Sequence, residues 1–208
     1  MMADSIQTPS KRYRGSSAEE RRAERRTRLV RAAVRTYGQR GYHNTSVKAV
    51  CEAAGLTERY FYESFANSEA LLVACLRAVT QRLVAAVRDS AGGADTGPAG
   101  RVRRMLATYF TVLQRDPAAA RVFLVEIGGV SPLVDQEFRQ ALGRFADAIA
   151  DAWGLPPDGR DPLLLAGMVG GVMHLALAWA ASGYARPLPQ VVEAALRLCA
   201  VLGPAGEG

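Results

Sequence analysis

The sequence is poor in the residues from which stapled scaffolds and metal centres are built. Its three cysteines, Cys51, Cys75 and Cys199, are odd in number and far apart. They show no C-x-x-C spacing, which argues against a disulfide framework or a zinc site, and each reads as a small buried hydrophobe. Only two histidines occur in 208 residues, His43 and His174. Neither has a catalytic or ligating partner at motif spacing, so no metal, no cofactor and no enzymatic activity are expected. The N-terminus is polar and basic without an apolar segment, so we expect no signal peptide and a cytoplasmic protein. No convincing strand, internal repeat or glycine-rich phosphate loop appears, which leaves an all-α fold.

What is present is unevenly distributed. Residues 1–65 hold 13 of the 26 Lys and Arg but only 7 of the 20 Asp and Glu, so the whole net charge of +6 resides in the first third. A basic segment joined to a neutral remainder points to one module that faces a polyanion and another with a different task. The length suits one sizeable core, or a small domain fused to a larger one.

Residues 1–17 carry Lys11, Arg12 and Arg14 without periodicity and read as a disordered basic arm. From Ala18 to Arg40, Leu29, Val30, Ala33, Val34 and Tyr37 form one apolar stripe on a helix otherwise covered with arginine, and Gly41 ends it. Val47, Val50, Cys51 and Ala54 give a short second helix capped by Thr45 or Ser46 and closed by Gly55. Thr57 opens a third helix running to about Phe65, and Asn67 or Ser68 opens a fourth running to about Asp89. Five further helices follow a Gly- and Ala-rich loop at residues 91–100. Asp116-Pro117, Ser131-Pro132 and Asp161-Pro162 each pair a capping side chain with a proline suited to the first helical position, and Pro189 is expected to open the last helix.

Residues 162–185 contain no Asp, Glu, Lys or Arg and are long enough to cross a bilayer. Their richness in Gly and Ala, with His174 near the middle, favours a helix buried between its own domain and a second subunit over a membrane span.

The run T-S-V-K-A-V-C-E-A-A-G-L-T-E-R-Y-F-Y-E-S-F-A-N-S-E-A-L at residues 45–71 resembles the DNA-binding domain of the TetR family of regulators, with the likeness extending from Thr27 to Arg77. The resemblance implies about nine helices. These divide into an arm at 1–17, a helix-turn-helix domain at 18–66, and an effector-binding and dimerisation domain at 67–208. It further implies a homodimer on double-stranded operator DNA, an inverted repeat, and a repressor released by a small-molecule effector, with no membrane partner. An architectural or ligand-independent DNA binder is the alternative, and a helical enzyme a more distant one.

By this resemblance Ser46 and Tyr62 are phosphate contacts, and Gly55 is the turn residue. Ser64 and Ser68 depart from the family's usual aromatic or histidine and its usual lysine. Arg59 is the base-reading candidate, because a guanidinium bonds bidentately to guanine. Lys48, Thr57 and Tyr60 complete the expected DNA set, with Arg12, Arg14, Arg21 and Arg22 as supporting cations. The effector cavity is expected among Met105, Tyr109, Phe110, Phe123, Glu126, Phe145, Met168, His174 and Trp179. The dimer interface is expected at Gly167, Gly170, Gly171, Ala178, Val192, Leu196 and Cys199.

Overall fold

The computed structural model describes residues 17–92 and 97–202; Arg12 and Arg14 lie outside them. Nine α-helices and two single 3-10 turns, and no strand, make up the described residues. The first is α1, Ala18–Arg40, which starts with a reciprocal capping box. The Ser17 side chain accepts from the Glu20 amide and the Glu20 carboxylate accepts from the Ser17 amide, so two otherwise orphaned donors are satisfied. It stops at Gly41, whose φ of 88° a side chain rarely tolerates.

Two short helices follow, α2 at Val47–Ala54 and α3 at Glu58–Tyr62. Gly55, at φ 62° and ψ 40°, forms the turn between them. The amides of Gly55 and Leu56 close back on the carbonyls of Glu52 and Cys51, the paired bonds by which a left-handed residue ends a helix. Phe61 and Phe65 pack inward beneath α1 and are almost completely buried.

The long α4, Ser68–Asp89, is capped by Asn67 and leads into the remaining helices. These are α5 (Gly97–Arg115), α6 (Pro117–Leu124), α7 (Pro132–Trp153), α8 (Pro162–Ala181) and α9 (Leu188–Cys199). Asp116, Ser131 and Asp161 cap α6, α7 and α8, each with proline in the first turn. The last helix starts one residue before Pro189, with Pro187 in the capping position.

α4 packs on α5 and α7, α9 lies along α5, and α8 lies between α7 and α9. One buried carboxylate ties this body together. Glu137 of α7 is 4% exposed and accepts from Arg77 of α4 at 2.7 Å and from Arg144 at 3.2 Å, so its charge is met by two cations rather than left bare.

Two helices, α4 and α8, are long and apolar enough to span a membrane by length and composition. Their burial differs: 61% of the most apolar stretch of α4 lies inside the protein but only 33% of that of α8. The exposed side of α8 and α9 carries Leu163, Leu164 and Leu198, with Val201 exposed in the 3-10 turn that follows. Gly167 and Ala178 are exposed there too, whereas Val192 and Cys199 are buried inside the single chain. α9 packs on both α5 and α8 of the same chain, and burial leaves these two residues of the expected interface unavailable to a second copy. Leu196 and Gly170 are half-buried, and a side chain built on Gly171 would stand 3.1 Å from Leu198 of the same chain.

Candidate nucleic-acid interface

α1 braces α2 and α3 with three arginines. Arg28 donates to the carbonyls of Ala54 at 2.8 Å and Gly55 at 3.2 Å, satisfying acceptors that the end of α2 leaves open. Arg22 donates to the Glu63 carbonyl at 2.6 Å. Arg25 lies 4.5 Å above the Tyr60 ring and 3.6 Å from the Glu63 carboxylate. Arg21 and Arg22, expected as supporting cations, are both on α1, and Arg22 is committed to holding the end of α3.

The outward side of this unit is polar and accessible. Ser46 caps α2 by accepting from the Ala49 amide at 3.2 Å, which leaves its hydroxyl proton available to an anion. Lys48, two residues further on, is exposed. Thr57 precedes α3 and makes no side-chain cap. Arg59 is 84% exposed, with its Nε held 3.0 Å from the Glu63 carboxylate. Tyr62 is 59% exposed. Ser46, Lys48, Thr57, Arg59 and Tyr62 are thus presented outward, while Tyr60 is half-covered by Arg25. Ser64 donates to the Tyr60 carbonyl, and the Ser68 hydroxyl stands 3.4 Å from that of Tyr42. Glu63 was not expected, although its i,i+4 spacing from Arg59 is the ordinary signature of a helical ion pair.

A second feature lies in the body. Residues of α4, α5, α6, α7 and α8 surround a cavity of about 30 Å³, room for one or two waters. Met105, Tyr109, Phe123, Phe145 and Met168 line it as expected from sequence, together with Leu142, Ile149 and Met173. Tyr109 supplies the one hydroxyl in this lining, and burial pushes its ionisation well above the usual phenol range, so it is a neutral polar group.

Four expected lining residues lie elsewhere. Phe110 and Trp179 meet edge to face beneath the α8–α9 connection, where the Trp179 indole donates to the Arg186 carbonyl. His174 is exposed on α8. Glu126, just beyond α6, accepts from the Tyr42 backbone amide at 2.7 Å and from Arg121 at 2.8 Å. It therefore joins the body to the loop between α1 and α2. Close packing reinforces that join: a side chain built on Gly38 of α1 would come within 2.5 Å of the Ala118 backbone on α6.

Residues 29–75 match the family described as bacterial regulatory proteins, tetR family. The chain is similar to the HTH-type transcriptional regulator RutR of Escherichia coli K12, 26% identical over 147 residues that cover 71% of this chain. That match spans 66% of RutR, slightly under two thirds of its length. UidR of the same organism is 31% identical over 68 residues, 33% of this chain and 35% of UidR. Among solved structures, FadR of Bacillus subtilis, determined with stearoyl-CoA, has a similar fold. Its TM-score is 0.71 at 18% identity, covering 83% of this chain and 96% of that one. FadR of Bacillus halodurans gives the same TM-score at 20% identity, covering 87% and 96%. The accessible helix-turn-helix side chains and the matched segment fall on the same helices, and over that segment the chain is similar to the tetR family of bacterial regulatory proteins.

Proposed function

We propose that this chain is a dimeric, sequence-specific transcription regulator that represses from an inverted-repeat operator and is released by an apolar small molecule. The observation that carries the reading is the outward presentation of Lys48, Thr57, Arg59 and Tyr62 on a helix-turn-helix locked by the Gly55 turn and braced by α1. Phosphates are met by Ser46, Lys48, Thr57 and Tyr62, and a base edge by Arg59. The domain limits proposed are residues 18–66 for the DNA-binding head and 67–208 for the body.

The exposed faces of α8 and the outer side of α9 form the proposed dimer contact, which sets two heads on successive major grooves. In the body, the cavity is too small to hold an organic ligand as it stands, against the roughly 300–1,000 Å³ of typical pockets. Three methionines in its wall, Met105, Met168 and Met173, are the side chains best able to move aside. An acyl chain, such as that of the stearoyl-CoA bound to the Bacillus subtilis relative, matches a lining of this kind. A ligand that displaces Phe123 acts on Glu126 three residues later, and so on the loop that positions α2. Its effect on the operator is the difference in its affinity for the two arrangements.

The test is footprinting of the purified protein on the intergenic DNA beside its own gene, at two salt concentrations and with nonspecific competitor. A protected inverted repeat that survives competitor is expected. Binding that competitor abolishes at both salts would overturn sequence-specific regulation.

A further inference from the structure

A large groove runs between α1 and α4 on the far side of α1 from α2 and α3. Arg22, Arg25 and Arg28 meet α2 and α3, whereas the groove is lined from α1 by Arg26, Val30, Arg31, Val34 and Arg35. At about 100° per residue these two sets point in roughly opposite directions. The groove therefore does not share the surface proposed for the operator. Its volume is about 760 Å³, within the range of small-molecule sites.

The charge in it is one-sided. Arg26, Arg31, Arg35, Arg77 and Arg82 contribute to its walls, and Asp116 is the one carboxylate. That carboxylate caps α6 through the Ala119 amide. Arg77 is paired with Glu137, and Arg26 lies 4.3 Å above the Phe65 ring. Among the described residues, Arg31 and Arg35 have no acidic partner, and Arg82 makes only a bond within its own helix, to the Ala78 carbonyl. Between these cations, Val30, Val34, Ala74 and Ala78 give an apolar floor. Guanidinium groups bond phosphate oxygens bidentately, and an apolar surface between them accepts a flat or hydrocarbon body.

We propose that the groove between α1 and α4 is a binding site for a phosphate-bearing organic anion of about nucleotide size. The site is separate from the apolar cavity, with which it shares no lining residue. It lies against the helix that braces the head, so occupancy is linked to the position of α1.

The experiment is thermal unfolding of the full chain with ATP, tripolyphosphate or adenosine, each at about 1 mM, a concentration that reports dissociation constants near 0.1 mM. ATP is expected to raise Tm by about 3–6 °C, tripolyphosphate by less, and adenosine not at all. The R31Q/R35Q double variant, which removes two exposed and unpaired side chains, is expected to lose the ATP effect. An R139Q/R186Q variant, with the same charge change elsewhere on the surface, is expected to keep it. No ATP shift in the native chain, an undiminished shift in R31Q/R35Q, or equal loss in the two variants overturns the site. A tripolyphosphate shift equal to that of ATP also overturns it, because the apolar floor is then unused.

Discussion

Replacing Glu126 by alanine tests whether the body holds the head through a single carboxylate. Glu126 has a side chain only 8% exposed. Its two oxygens are divided between the Tyr42 amide at 2.7 Å and Arg121 at 2.8 Å. The amide bond is charge-assisted, and losing such a bond costs about 1.5–3 kcal/mol when the donor is left without a partner. The Arg121 pair adds little, since that side chain is 45% exposed and water replaces the contact. The expected loss is therefore about 2–3 kcal/mol for E126A, or about 4–12 °C in Tm for a chain of this size. E126Q keeps an acceptor for Tyr42 and should lose about 1 kcal/mol. Hydrogen exchange separates this local effect from a general loss of packing. Opening at Tyr42 that becomes easier by about 2 kcal/mol raises exchange of its amide roughly 30-fold, with amides in α9 rising no more than the global loss requires. An E126A protein with unchanged Tm and unchanged Tyr42 exchange would refute the coupling.

Gly38→Ala places a methyl 2.5 Å from the Ala118 backbone, forcing α1 and α6 apart at a net cost of about 1–3 kcal/mol despite the better helix propensity of alanine. Denaturant unfolding showing equal or greater stability would mean that the two helices can part freely. Arg59→Ala is expected to cost about 1–3 kcal/mol at the operator and relax one base position; equal weakening toward random DNA would make Arg59 a phosphate contact. Burial raises the pKa of Cys75, Tyr37 and Tyr109, and pushes that of Cys199 up to about 12. The folded chain holds these protons where the unfolded chain, titrating near 9.0 for thiols and 10.0 for phenols, releases them. Their contribution to stability is complete below about pH 8.5 and falls as pH rises further. A Tm that stays level from pH 8 to about pH 11 would show that the groups titrate alike in both states.

Local signals made most of the helices legible. Ser46, Asn67, Asp116, Ser131 and Asp161 all cap the helices they precede, because a cap is a contact over two or three residues and its chemistry is written in the side chain itself. The apolar stripe of α1 likewise identifies which of its faces is buried. Periodicity cannot say what covers a stripe. Val192 and Cys199 were assigned to a partner by the resemblance, although both are buried within the single chain, where α9 packs on α5 and α8. Glu126 was read as polar in an apolar neighbourhood, hence as a ligand contact; its partner Tyr42 lies 84 residues away and is a backbone amide. The Arg59–Glu63 pair was within reach, being four residues apart on one short helix. The groove between α1 and α4 was not, since its arginines come from two helices that only the fold brings together.

The same distinction bears on α8, whose composition alone satisfies the length and hydropathy of a membrane span. One side of this helix is already committed to the protein: Leu165, Met168, Val172, Ala176 and Trp179 are buried, and Trp179 spends its indole N–H on the Arg186 carbonyl. Placing α8 in lipid removes that packing and leaves a polar donor and acceptor to find new partners in hydrocarbon, at a cost of several kcal/mol for each unsatisfied group. Its opposite side presents Gly167, His174 and Ala178 alongside Leu163 and Leu164. Small residues gain little from contact with lipid tails but permit close approach of another helix, where dispersion contacts between backbones replace water. Under the proposed dimer, α8 needs no charged residue on either side, because one face is covered by its own domain and the other by its symmetry mate.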